Sequence, residues 1–208
     1  MTRIVVGGHT RNIGKIQLAV EIIQSFPEAR WTAVKITQYG HGICSVNGEA
    51  CGCAPAEHPF AIQEEQDRDG RSDTSRFLRA GAARALWVRT KQGRLAEAMP
   101  GLRGELEGAE NVLIESNTVL HFLRPDLYLT MLDFSSPDFK PSAREMLDRA
   151  DAYVVVERGS EAPGWSQVSL KPLESHPVFR VQPDNLCPAE LRELIRRRLF
   201  SPPGTGTG

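Results

Sequence analysis

The chain has 208 residues, a formal net charge of −1 and 40% hydrophobic content, which suits one α/β domain with an insertion rather than two domains. So even a charge gives no field that would gather nucleic acid or an anionic membrane, and neither partner is expected. With no basic-then-apolar leader and no apolar run of the ~18 residues needed to span a bilayer, the expected location is cytoplasmic, where its four cysteines read as free thiols or metal ligands rather than disulfides.

The first element is a β-branched run, Ile4-Val5-Val6, which meets Gly7-Gly8 and a polar loop before Gly14-Lys15 opens an apolar-periodic helix (Ile16, Ala19, Val20, Ile23). Strand, glycine loop and helix in that order aim backbone N–H groups and a helix dipole at one spot, where Lys15 adds a point charge. This is a phosphate cradle of the Walker A type, with Gly8, Thr10, Arg11, Asn12, Ile13, Gly14, Lys15 and Ile16 as the candidate nucleotide-binding residues. The common spacing is G-x-x-x-x-G-K-[ST]. Here His9 stands at the first glycine position, so the loop is one residue longer. Ile16 stands where Ser or Thr would offer magnesium a hydroxyl. An isoleucine cannot ligate a metal, so nucleotide binding with weak hydrolysis is expected. The plain alternative is a tight turn with a solvated lysine.

A second strand follows at 31–37, after which periodicity stops. Residues 38–74 are rich in Gly, Cys, His and acids and too long for an ordinary connection. Asp73, Thr74 and Ser75 offer N-caps for a helix that leads into a strand at 85–89. A helix at 93–106 is interrupted or ended by Pro100, and a buried-type strand at 111–115 ends in Glu115. Then come a short helical stretch (118–122), a strand at 127–132 ending at Asp133, a helix at 141–150 and a strand at 152–156. One or two edge strands fall within 163–181, a last helix spans 188–199, and 201–208 is a frayed, disordered tail. Alternating strands and helices imply one domain over 1–200 with a mostly parallel sheet covered on both faces. Ligands of such sheets gather at the carboxyl ends of the strands, which lines up the Gly8–Lys15 loop, Arg89, Glu115 and Asp133 along one edge.

Three pieces of this sequence, GGHTRNIGK at the start, SDTSRFLRAGAARALWV at 72–88 and VLIES at 112–116, resemble the P-loop NTPases that include molybdopterin-guanine dinucleotide biosynthesis protein B and dethiobiotin synthetase. The middle piece is similar to the D-S…AGA segment of the molybdopterin family, with Asp73 and Thr74 at the D-S positions. The glycine seven residues before Lys15 is closer to dethiobiotin synthetase. The resemblance covers about 3–156 and implies a three-layer P-loop NTPase-like fold binding ATP or GTP with magnesium. The roles it implies are amides of residues 10–15 on the β-phosphate, Lys15 bridging the β- and γ-phosphates, Glu115 binding magnesium or orienting a water, and Asp73 holding the metal through water. Ile16, Ser116 and the cysteine-rich insertion depart from its pattern.

The insertion at 38–74 carries a second constellation: His41, Cys44, Cys51, Cys53 and His58. Thiolates and imidazoles at this density can close a tetrahedron around zinc. An iron–sulfur cluster is the less usual alternative, and a loop with free thiols is the plain one. Two functions follow. One is an NTP-dependent enzyme that assists synthesis or delivery of a metal-containing cofactor, with a metal-cofactor enzyme or precursor as partner and a homodimer left open. The other is a catalytically silent nucleotide- or metal-binding protein.

Overall fold

A computed structural model of the chain describes residues 1–40 and 59–200. The proposed ligands His41, Cys44, Cys51, Cys53 and His58, and the tail 201–208, lie outside the described residues. The described strands are β1 (Thr2–Gly8), β2 (Trp31–Tyr39), β3 (Phe60–Glu64), β4 (Arg84–Lys91), β5 (Asn111–Glu115), β6 (Leu127–Leu132), β7 (Ala152–Val156) and β8 (Val178–Val181). They form one sheet in the order β3-β4-β2-β5-β1-β6-β7-β8. Every pairing is parallel except β3 with β4. The helices are α1 (Lys15–Ser25), α2 (Asp73–Ala80), α3 (Leu95–Glu105), α4 (Pro141–Met146), α5 (Lys171–Glu174) and α6 (Ala189–Phe200).

Alternate strand residues serve opposite faces, as a pleated strand requires. Ile4 and Val6 of β1 pack with α1, α2 and α6, whereas Val5 packs with α3 and α4. Both faces are therefore covered, and Ile4, Val5 and Val6 are wholly buried. This is why the central strands read as unbroken apolar runs.

The ends of the helices follow local chemistry. The α2 cap is Ser72, whose Oγ accepts from the Ser75 N–H at 2.9 Å, so Asp73 becomes the first helical residue instead of the cap. Gly81 closes α2 in the left-handed conformation at φ 108°. Pro100 does not end α3, which runs through it to Glu105. Pro100 lies on the exposed side, as does Ala96, whose carbonyl has no N–H donor at Pro100, while Leu95, Ala98, Met99 and Leu102 stay buried. A strand not read from the sequence, β3, lies within 38–74. It is short, half-exposed and antiparallel on the sheet edge, pairing Phe60 with Thr90 and Glu64 with Leu86.

Candidate functional site

β1 lies between β5 and β6, and its carboxyl end delivers the loop of residues 9–14 to the start of α1. The glycines there are required by close approach. Asn117, just beyond β5, grips Gly8 on both sides: the Gly8 N–H donates to Asn117 Oδ1 at 2.9 Å, and Asn117 Nδ2 donates to the Gly8 carbonyl at 3.0 Å. A Cβ on Gly7 would lie 2.3 Å from Asn117 Oδ1 and 2.7 Å from the Tyr128 hydroxyl.

Beyond Gly8 the loop is tied down from the β6–α4 side. The His9 N–H donates to the Met131 carbonyl at 3.1 Å, the Lys140 N–H to the His9 carbonyl at 2.8 Å, and Thr10 Oγ1 to Asp138 at 2.6 Å. Asn12 and Gly14 take left-handed conformations, at φ 58° and 108°. Among the described residues, no backbone N–H of residues 10–17 has a protein acceptor. Amides left unpaired where a mixed-handed loop enters a helix form a concavity for an anion.

Cations crowd this loop. Lys15 Nζ donates to the Thr10 carbonyl at 2.9 Å and stands 3.8 Å from Glu115 Oε1. Burial lowers its pKa, and Lys35 and Arg11 lower it further against the pull of Glu115 and Asp73. Lys140, just before α4, is lowered by burial and then by Lys15 and Arg11. Mutually repelling cations next to unpaired amides are stabilised by an added anion.

The acids stand on the β2–β5 side. Glu115 is level with Val6 of β1 and Lys35 of β2. Lys35 Nζ donates to Asp73 Oδ2 and lies 3.9 Å from Glu115 Oε2, while Arg76 is 3.7 Å from Asp73 Oδ1. The start of α2 is fixed by Glu65, which accepts from Ser72 Oγ at 2.7 Å and Thr74 Oγ1 at 2.9 Å. Burial would raise the Glu65 carboxyl, but hydrogen bonds from Ser72, the Asp67 amide, Thr74 and Ser75 outweigh it and hold it at about 2.

Lys15, Glu115 and Asp73, far apart in sequence, thus meet around Lys35. Sequence reasoning missed Lys35, although a charged residue inside the mostly apolar run Trp31–Ile36 was a signal. Lys140 carried none, being a polar residue of a polar loop. Arg89 is used elsewhere: it donates to Gln63 at 2.8 Å and stacks on Trp87. Asp133 accepts from the Ser135 amide at 2.9 Å and lies 3.5 Å from Arg158. Cys187 is buried, which pushes its thiol up to about 12.

Magnesium, which P-loop folds hold with a hydroxyl and carboxylates, does not fit these residues as they stand. The Ile16 side chain packs against the core. Each carboxylate oxygen of Asp73 and Glu115 already faces an ammonium or guanidinium. Among the described residues, no group of three or more His, Cys, Asp or Glu is placed to hold a metal ion.

His9 is wholly buried between Phe139 and Trp165, at ring distances of 5.1 and 4.7 Å, and neither ring nitrogen makes a hydrogen bond. The nearby Met131 and Ser136 carbonyls favour the charged ring, but burial outweighs them and puts its pKa below the ordinary 6.5. A depressed folded-state value means that the unfolded chain binds the proton first, so stability falls as pH drops below 6.5 towards the folded value. The melting temperature should therefore fall over that range, and His9→Phe should flatten the fall. Parallel profiles for the two proteins would contradict a buried neutral imidazole.

No family model matches the chain, and no curated protein matches it. Among solved structures it is similar to HypB from Helicobacter pylori, in complex with nickel, at 12% identity, covering 100% of this chain and 92% of that one with a TM-score of 0.50. It is also similar to the "apo" form of LpxK from Aquifex aeolicus, in complex with ATP, at 15% identity, covering 86% of this chain and 53% of that one with a TM-score of 0.48. The chain thus spans about half the length of that LpxK. Among the described residues, no helix is long and apolar enough to cross a membrane. The mostly parallel eight-stranded sheet, its helices on both faces and the likeness to HypB together identify the fold as three-layer α/β of the P-loop NTPase type.

Proposed function

We propose that the chain is a nucleotide-binding P-loop protein that assists biosynthesis or delivery of a metal-containing cofactor and hydrolyses ATP or GTP slowly. The observation that supports it most is the set of amides at residues 10–17 that have no acceptor among the described residues, beside the half-buried Lys15. In this reading those amides hold the β-phosphate and Lys15 reaches the β- and γ-phosphates, with Lys140 and Arg11 adding charge. Glu115 orients the attacking water. Turnover is slow because Ile16 supplies no hydroxyl.

The metal side of the reading rests on His41, Cys44, Cys51, Cys53 and His58, on the motifs that resemble those of the molybdopterin protein B group, and on a neighbour of similar fold, HypB, that was solved with nickel. Zinc is the ion we assign to these ligands.

Titration of the purified protein with nonhydrolysable ATP and GTP analogues, a phosphate-release assay and elemental analysis test the whole reading. Expected are binding of at least one analogue, phosphate release at roughly 10⁻³ s⁻¹ or slower, as in unassisted P-loop GTPases, and about one zinc per chain, lost in Cys51→Ser with Cys53→Ser. Failure to bind either analogue would overturn the nucleotide assignment, and metal-free protein would remove the zinc site. Binding with no turnover at all would favour a catalytically silent nucleotide- or metal-binding protein, the reading that the packed Ile16 side chain supports.

A further inference from the structure

We propose that Lys35 is a built-in cation that takes the place of magnesium, so that this P-loop binds nucleotide equally well with and without a divalent ion. The inference rests on the nucleotide-binding reading and concerns the same site.

Glu115 ends β5 and Asp73 begins α2, which are the positions from which acids would be expected to serve a metal. Magnesium needs such oxygens directly, at about 2.0–2.1 Å in near-octahedral geometry, or through its own waters. Here none of them faces open solvent alone. Lys35 donates to Asp73 Oδ2 and stands 3.9 Å from Glu115 Oε2, Lys15 stands 3.8 Å from Glu115 Oε1, and Arg76 stands 3.7 Å from Asp73 Oδ1. A dication placed between the acids would have to displace an ammonium or sit against it, and side-chain exposures of 11% for Glu115 and 20% for Lys35 leave little water to screen that repulsion.

The Lys35 ammonium is tied to both acids by its bond to Asp73 Oδ2 and its 3.9 Å approach to Glu115 Oε2. Its backbone is in the middle of β2, paired with Trp87 on β4 and Glu115 on β5. Asp73 is held in turn by the Glu65–Ser72 cap of α2. Ile16 completes the argument, because the one hydroxyl that would draw magnesium to the start of α1 is replaced by a side chain packed on the core. With no hydroxyl at position 16, an ammonium shared by two carboxylates supplies positive charge on the acid side of the loop without an exchangeable ion.

The test is the affinity of the full-length protein for nonhydrolysable ATP and GTP analogues, measured with magnesium and again with EDTA. Wild-type affinity should differ by less than about fivefold between the two buffers, which is under the tenfold that corresponds to 1.4 kcal/mol. Lys35→Met frees Asp73 Oδ2 and Glu115 Oε2 and should make binding magnesium-dependent by about tenfold or more. Lys35→Arg keeps the charge and should remain as indifferent as wild type, so the proposal stays testable if Lys35→Met folds poorly, which a thermal melt would reveal. A wild-type ratio of fivefold or more, or a folded Lys35→Met that is still indifferent, overturns the role of Lys35 and leaves nucleotide binding standing. Absence of binding in both buffers overturns the nucleotide reading and the inference with it.

Discussion

Replacing Lys15 with alanine should weaken binding of a nonhydrolysable nucleotide by roughly 12- to 140-fold, the equivalent of the 1.5–3 kcal/mol of a charge-assisted hydrogen bond. The fold should hardly notice. The ammonium donates to the Thr10 carbonyl at 2.9 Å, a bond whose loss costs about 1 kcal/mol. Against that, burial holds the Lys15 pKa down, and its neighbours Lys35 and Arg11 repel it, so removing the charge also relieves an unfavourable burial that opposes this cost. Glu115 keeps Lys35 at 3.9 Å and is not left alone. A net change within about 1 kcal/mol moves the melting temperature by about 2–4 °C in a domain of this size. Titration and thermal melting run in parallel check both halves. Binding weakened less than about threefold would remove Lys15 from the phosphate site, whereas a large drop in melting temperature would make it a structural residue instead.

The second large effect falls on stability. Gly7→Ala should destabilise the protein by roughly 2–4 kcal/mol, combining the overpacking of a filled site with loss of about one hydrogen bond at the Asn117 grip. Strand geometry itself would accept alanine, so the cost is steric: the new methyl would sit 2.3 Å from Asn117 Oδ1 and 2.7 Å from the buried Tyr128 hydroxyl. Tyr128 is held on a central strand and cannot retreat, and Asn117 can move only by releasing Gly8. A fall of about 4–16 °C in melting temperature is expected. A variant melting within about 2 °C of wild type would show that the turn has slack that these contacts deny it.

The main elements were legible because their burial is written in their residues. Ile4-Val5-Val6 is apolar on both faces, as a strand between two helical layers must be, and Gly7-Gly8 followed by Gly14-Lys15 marks the turn into α1. The short strand β3 was not legible, since a half-exposed antiparallel edge strand of five residues has neither an apolar run nor a clean alternation. Residues that act across the sheet were hidden for a different reason. Lys35 gains its meaning only once β2 and β5 are neighbours, and the Asn117 grip only once β5 lies beside β1. Lys140 is tied to the loop by the hydrogen bond that its backbone N–H donates to the His9 carbonyl, a contact that no local pattern foretells. Ile16 could be read both as a missing hydroxyl and as the start of the apolar face of α1, and it packs against the core as that periodicity implies.

The antiparallel course of β3 has a practical corollary for protein engineering. Main-chain bonds from the Gln92 N–H to the Tyr39 carbonyl, at 2.8 Å, and from the Lys91 N–H to the Pro59 carbonyl, at 3.1 Å, clasp the two ends of the cysteine-bearing stretch to adjacent residues on β4's far tip. Those ends flank one strand, so they are about two interstrand spacings, or roughly 10 Å, apart, a gap that about four or five residues of extended chain can bridge. A linker of that length would therefore join Tyr39 to Pro59 while keeping the registers of β2 and β3 on β4.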